Sequence, residues 1–214
     1  MREPLPLKFI LVLLGVLVLV PTVALGAGPT TVLPAPLSTP AAAATPQPLD
    51  GASAAAESNL VKAHALVAAA INMTDSAQAL KLLWQATDLE PSFEEAYIYL
   101  GLYYNSRSQF DKVVDVYQKL IKYHPKQASA YLNIGEAYMS FQPPKFDAAL
   151  PYYRKALELE PSSSFAALRI GEIYSQQGDR ANAVRYLTLA SRDRAKNPNI
   201  ADEAERFLRQ TNAP

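Results

Sequence analysis

The feature that most constrains this chain is a pattern that returns with a period near 34 residues. Tyr97, Leu100, Gly101 and Tyr104 recur as Tyr131, Ile134, Gly135 and Tyr138, and again as Ala167, Ile170, Gly171 and Tyr174. The glycines stand 34 and then 36 residues apart. A second set keeps step: Phe110, Val113, Tyr117 and Leu120, then Phe146, Ala149, Tyr153 and Ala156, each closed five residues on by Pro125 or Pro161. Offsets of three, four and seven put each set on one face of an α-helix. Each unit is therefore predicted to be two amphipathic helices joined by a short turn and ended by a proline. One such unit cannot bury its apolar face alone, and about three or more must stack to make a stable core.

At these residues the chain resembles the tetratricopeptide repeat: Tyr97, Leu100, Gly101, Tyr104, Phe110, Tyr117 and Pro125 match that family's order of aromatic, Leu-Gly, Tyr, aromatic, aromatic and Pro. The resemblance implies an all-α fold, a right-handed α-solenoid of helix-turn-helix repeats over residues 59–212. In that family glycine and small residues let paired helices approach closely; here these are Gly101, Gly135, Gly171, Ala149, Ala156, Ala183 and Ala190. The units are 94–127, 128–163 and 164–197, with a degenerate copy at 60–93 that keeps Ala79, Ala86 and Pro91. The middle unit carries two extra residues around Gln142-Pro143-Pro144-Lys145, predicted to lengthen its internal turn. The last unit lacks the first aromatic (Ala167) and has Arg180 where the others have Phe. Residues 199–211 read as a capping helix: Ile200, Ala204, Phe207 and Leu208 make one apolar face, and Asp202, Glu203, Glu205, Arg206 and Arg209 cover the other.

The first 58 residues differ in kind. Nine of the seventeen prolines lie at or before Pro48, whereas all twelve tyrosines follow Trp84. Residues 1–27 read as a signal peptide or signal anchor: Arg2 and Lys8, then an apolar run from Phe9 to Val20, then Pro21 and the small residues Ala24-Leu25-Gly26 before Ala27. Twelve residues cover roughly 18 Å of a hydrocarbon core of about 30 Å, which favours cleavage. Thr22 to Ala27 is mild enough to extend the span, which keeps an uncleaved anchor over residues 9–27 open. Both readings place the remainder outside the cytoplasmic membrane, because no Lys or Arg occurs between Lys8 and Lys62. The expected address is extracytoplasmic: periplasmic, cell-surface or secreted. Residues 28–58, with six prolines, nine alanines and no aromatic, read as a disordered Pro/Ala/Thr-rich linker.

Chemistry is hard to find in this sequence. Zero cysteines exclude disulfides, thiolate metal sites and cysteine nucleophiles. A formal net charge of zero without a basic run removes the electrostatic footprint of a nucleic-acid binder. The two histidines, His64 and His124, have no second ligand at metal spacing. No phosphate-binding glycine loop, dinucleotide fingerprint or nucleophile elbow occurs. The expectation is a non-enzymatic protein with no catalytic, cofactor or metal residue. Asn72-Met73-Thr74 is a glycosylation sequon that matters only in a host that glycosylates exported proteins.

By the resemblance, first helices line the concave side of the stack. The groove residues it implies include Glu95, Ile98, Tyr99, Leu102, Leu132, Asn133, Glu136, Phe165, Leu168, Arg169 and Glu172. Ile98, Leu102, Leu132, Phe165 and Leu168 are expected to be exposed there, because helix pairing does not need them; Tyr99 is likewise expected to fall off the packing face. Apolar residues along such a surface suit a helix or an extended peptide. A two-carboxylate clamp for acidic chaperone tails, known in this family, needs a polar and basic groove. Asn133 and Arg169 match it, but Ile98, Leu102 and Phe165 do not. With Glu95, Glu136 and Glu172 present, the better-matched ligand is a neutral or mildly basic apolar segment. The function expected is an extracytoplasmic adaptor or assembly factor binding a protein or peptide of the cell envelope, touching membrane only through its N-terminal segment. The alternative is a self-associating structural module of the envelope.

Overall fold

A computed structural model describes residues 51–192 and 194–212. The expected signal or anchor segment and the linker as far as residue 50 lie outside the described residues. Among these residues there are nine helices and no strand: α1 (Gly51–Asn72), α2 (Ser76–Leu89), α3 (Glu94–Asn105), α4 (Phe110–Tyr123), α5 (Ala128–Met139), α6 (Phe146–Leu159), α7 (Ser164–Gln176), α8 (Arg180–Ser191) and α9 (Pro198–Asn212). They pair as α1/α2, α3/α4, α5/α6 and α7/α8, with α9 laid against both α7 and α8. The α1 helix begins inside the stretch expected to be linker. Residues 51–58 hold four alanines, and alanine is the strongest helix former, so local propensity extends the first helix upstream of residue 59.

Side-chain bridges sort the helices into two layers. First helices meet one another through His64 and Glu95 (α1 to α3), Glu136 and Arg169 (α5 to α7), and Ser175 and Thr211 (α7 to α9). Second helices meet through Trp84 and Lys119 (α2 to α4) and through Gln118 and Tyr152 (α4 to α6). The apolar faces follow the sequence periodicity. Val113, Val116, Tyr117 and Leu120 of α4 are buried, as are Ala149, Tyr153 and Ala156 of α6. Two packed clusters result, one from Ala63 to Ala137 and one from Ala149 to Ala204, with Tyr138 packed against both.

The turns explain why the repeat residues travel together. In the three units from α3 to α8, the backbone N–H just before the second helix donates to the carbonyl of the first helix's last tyrosine. These bonds are Gln109 to Tyr104 (3.0 Å), Lys145 to Tyr138 (3.0 Å) and Asp179 to Tyr174 (2.9 Å). The two extra residues of the middle unit loop out inside this closure and leave it intact. Between units, the Tyr97 hydroxyl donates to the Pro91 carbonyl at 3.0 Å, and the Tyr131 hydroxyl to the Pro125 carbonyl at 3.0 Å. The first aromatic of a unit thus clasps the proline that ends its predecessor; Ala167 cannot do so at Pro161.

Helix starts are capped where the sequence allows. Asp75 accepts from the N–H groups of Ala77 (2.9 Å) and Gln78 (3.2 Å) at the start of α2, and Asp179 accepts from Asn182 N–H (3.1 Å) at the start of α8. The hydrogen bonds from Asn182 hold the Asp179 carboxyl below the ordinary aspartate range. Gly178 (φ +76°) and Ser108 (φ 56°) occupy the same left-handed step before α8 and α4, which only glycine takes without strain. At the other end of the molecule, α9 buries Ala201 and Ala204, while Arg194, Asp202 and Glu205 form an exposed ion-pair cluster. The cap expected at 199–211 is therefore Pro198–Asn212.

Candidate functional site

The expected groove residues all lie on the first helices α3, α5 and α7, and two of them are buried. Leu168 retains 1% of its surface and belongs to the C-terminal packed cluster, together with Ile200, Phe207 and Leu208 of α9. Tyr99 retains 5% and belongs to the N-terminal cluster; burial, and next the nearby Glu95 carboxylate, raise its phenol above the ordinary range. Both are packing residues, against the expectation that they face solvent. Leu102, Leu132 and Phe165 are half-buried, and Ile98 at 36% is the most exposed apolar groove residue. Asn133 is exposed, its side-chain amide donating to the Ser129 carbonyl at 2.8 Å. Glu95 approaches His64 at 3.6 Å, and the imidazole stands edge-on to Phe93 with ring centroids 4.5 Å apart.

The remaining three residues form one network between α5 and α7. Arg169 Nε and Nη2 donate to the two oxygens of Glu136 (2.8 and 2.9 Å), while Nη1 donates to Glu172 Oε2 (2.8 Å). The Tyr153 hydroxyl, reaching through from α6, also donates to Glu136. The guanidinium lies 5.1 Å from the Phe165 ring centroid. Burial works to lower the Arg169 pKa, but the Glu136 and Glu172 carboxylates together outweigh it and hold the group above the ordinary arginine range. Burial, with Glu136 adding to it, likewise raises the Tyr153 phenol. Two carboxylates against one guanidinium leave the network one net negative charge. Beside it opens a cleft of about 540 Å³ lined by Glu136, Met139, Ser140, Pro144, Phe146, Arg169, Glu172 and Gln176.

Sequence reading treated Tyr153 only as a packing residue and missed its hold on Glu136; nothing in the repeat pattern marks that bond. His124, expected near the end of a second helix, has Nε2 at 2.6 Å from the Ser92 carbonyl, tying α4 to the preceding turn. Among the described residues no group of three His, Cys, Asp or Glu side chains is placed to hold a metal ion, and no helix is long and apolar enough to cross a membrane. The segment expected to do so lies outside them.

A two-layer stack of helix pairs with a lined first-helix surface defines an α-solenoid interaction scaffold. Residues 95–126 and 145–198 each match a family model described as tetratricopeptide repeat, so the chain carries tetratricopeptide repeats. No curated protein sequence matches it. Among solved structures it is similar to YrrB, described as a TPR protein with an unusual peptide-binding site (18% identity, 76% of this chain and 93% of that one, TM-score 0.53). It is also similar to a tetratricopeptide repeat protein from Parabacteroides merdae (18%, 74% and 60%, TM-score 0.54). A third is the TPR2B domain of yeast Sti1 in its pHsp70 complex (24%, 55% and 94%, TM-score 0.50). At these identities the likeness concerns the fold.

Proposed function

We propose that this chain is a non-enzymatic adaptor or assembly factor outside the cytoplasmic membrane, whose first-helix groove holds a peptide or helix segment of an envelope protein. The observation that carries the reading is the composition of that groove. Exposed Ile98 and half-buried Leu102, Leu132 and Phe165 run beside Glu95, Glu136 and Glu172. An apolar strip with a polar margin suits helix-in-groove or extended-peptide recognition. Two solved relatives of the same fold are described with a peptide-binding site and with a bound pHsp70 partner, which supports a peptide ligand here. The Arg169 fork is already satisfied by Glu136 and Glu172, so it is poorly placed to grip an acidic tail, and the surplus carboxylates favour a neutral or mildly basic segment.

The extracytoplasmic address rests on residues 1–27 alone. N-terminal sequencing of the mature protein tests it: a start near Ala27 supports export with cleavage, and an intact Met1 on membranes supports the anchor. Affinity capture from native envelope extracts tests the groove, with the full chain and an Ile98→Glu/Asn133→Arg variant as baits. Both substituted side chains are exposed, so folding is expected to survive. Partners held by the parent and lost by the variant support the groove. Identical sets on both baits refute it.

A further inference from the structure

The second-helix layer carries a site of its own, on residues the groove does not use. Between α2 and α4 lie two adjoining clefts of about 420 and 350 Å³, sharing Trp84, Lys119 and Lys122 in their linings. The first runs on past Tyr104 to Lys112 and Asp115; the second runs past Tyr97 and Asp88 to Tyr123, which is 50% exposed. Lys119 Nζ lies 4.4 Å from the Trp84 ring centroid, and Lys112 Nζ 5.2 Å from that of Tyr104. Trp84 Nε1 donates to the Tyr104 hydroxyl at 3.2 Å, which fixes both rings.

None of Lys112, Lys119 and Lys122 has a carboxylate among the described residues within ion-pair distance, although Asp88 and Asp115 line the same clefts. An ammonium set over an aromatic face is positioned without being neutralised, so its charge stays available to an external anion. Along α4, the ten steps from Lys112 to Lys122 cover about 15 Å. That is the length of roughly four to five residues of extended chain.

We propose that this cleft binds an acidic, extended segment of a partner protein. Its carboxylates pair with Lys119 and Lys122 and, one end further on, with Lys112, while its backbone passes beside the Lys119–Trp84 pair. Asp115, one turn from both Lys112 and Lys119, disfavours acidic side chains in the middle of that segment. The domain then has two binding faces of opposite preference, and it can bridge a basic or neutral apolar segment on one layer and an acidic one on the other.

Trp84 is the single tryptophan of the chain, so its emission reports this cleft alone. Titrating the full chain with an acetylated, amidated hexaglutamate peptide should give a saturable change in Trp84 fluorescence that weakens as salt rises. Lys119→Gln/Lys122→Gln should raise the Kd roughly tenfold. Lys119→Arg/Lys122→Arg should keep binding, which separates loss of charge from loss of packing, with far-UV circular dichroism confirming that both variants fold. No saturable change, an equal response to hexalysine, or an unaltered Kd in the glutamine variant overturns the proposal. So does an emission that depends on protein concentration without peptide and loses that dependence in the glutamine variant, because a second copy then fills the cleft.

Discussion

Gly135→Ala is the substitution on which the packing argument is most exposed to test. A Cβ at this position would stand 2.6 Å from Cε1, 2.7 Å from Cζ and 2.9 Å from Cδ1 of the Tyr153 ring. Ordinary carbon contacts lie at about 3.5–4.0 Å, so the ring would have to retreat by roughly 1 Å. Tyr153 is completely buried and has nowhere empty to go. Overpacking of this kind costs about 1–3 kcal/mol, while replacing glycine by alanine inside a helix returns about 1 kcal/mol of propensity. The net single-variant effect is a loss of about 0–2 kcal/mol, too close to zero to decide anything alone.

The double-mutant cycle decides it. In a Tyr153→Leu background the colliding ring is gone, and Gly135→Ala should show only its favourable propensity. The coupling between the two sites should then be about 1–3 kcal/mol, read from urea unfolding followed by circular dichroism. Gly171 supplies an internal contrast. Its added Cβ would meet Leu187 Cγ at 2.7 Å and Cδ2 at 2.9 Å, but also the Leu187 backbone nitrogen at 3.0 Å. Truncating Leu187 to alanine leaves that backbone contact, so relief at Gly171 should be only partial. A Gly135→Ala variant stabilised by the same amount with and without the tyrosine ring would refute the idea that these glycines exist to admit the partner helix.

Other outcomes follow from single features. Ser108 holds a left-handed step (φ 56°) that Gly178 holds two units later, so Ser108→Gly should stabilise the fold by about 0.5–1 kcal/mol in the same unfolding assay. The buried phenols make the domain sensitive to base. Burial first, with Tyr123 and Asp88 adding to it, pushes Tyr97 up to about 12, and burial raises Tyr117 and Tyr153 as well. In the unfolded chain these groups ionise near pH 10. Above that pH the unfolded chain releases protons the folded one keeps, so stability is complete below about pH 10 and is lost as pH rises through about 12. Urea midpoints that hold level across that window would contradict the placement of these rings.

Much of the architecture was readable before any coordinate, because the demands of helix pairing fall on residue type at fixed spacing. Gly101 and Tyr117, Gly135 and Tyr153, and Gly171 and Leu187 are close-contact pairs sixteen, eighteen and sixteen residues apart, and that spacing, stretched in the middle unit by its two extra residues, is what the repeat encodes. Burial of the groove positions was less legible. Position within a unit says which side of a helix a residue takes, but not what the next element lays over it. Leu168 occupies the same place in its unit as half-buried Leu132. It is fully covered because it lies in one packed cluster with α9, a helix outside the repeat pattern. Tyr99 was misjudged for a related reason, since a ring long enough to reach the N-terminal cluster is buried from a position where a short side chain stays outside. The Glu136–Arg169–Glu172 network was visible only as separate charges, 33 and 36 residues apart, until the solenoid set one unit on the next.

A formal net charge of zero conceals how charge is distributed between the two layers. Along α1, α3, α5 and α7, five carboxylates (Glu57, Glu94, Glu95, Glu136 and Glu172) stand against two cations, Lys62 and Arg169. Along α2, α4, α6 and α8, Lys81, Lys112, Lys119, Lys122, Arg154, Lys155, Arg180 and Arg185 stand against Asp88, Asp111, Asp115, Asp147 and Glu158. The first-helix layer is thus three charges negative and the second-helix layer three positive. Overall composition fixes neither number; the alternation of first and second helices does, because successive sequence segments are dealt to opposite faces. Complementary potential guides encounter and rejects wrong partners more than it adds affinity, and it weakens with salt. One face of this solenoid should therefore repel the class of ligand that the other attracts. A scaffold built that way can hold two different segments without either competing for the other's site.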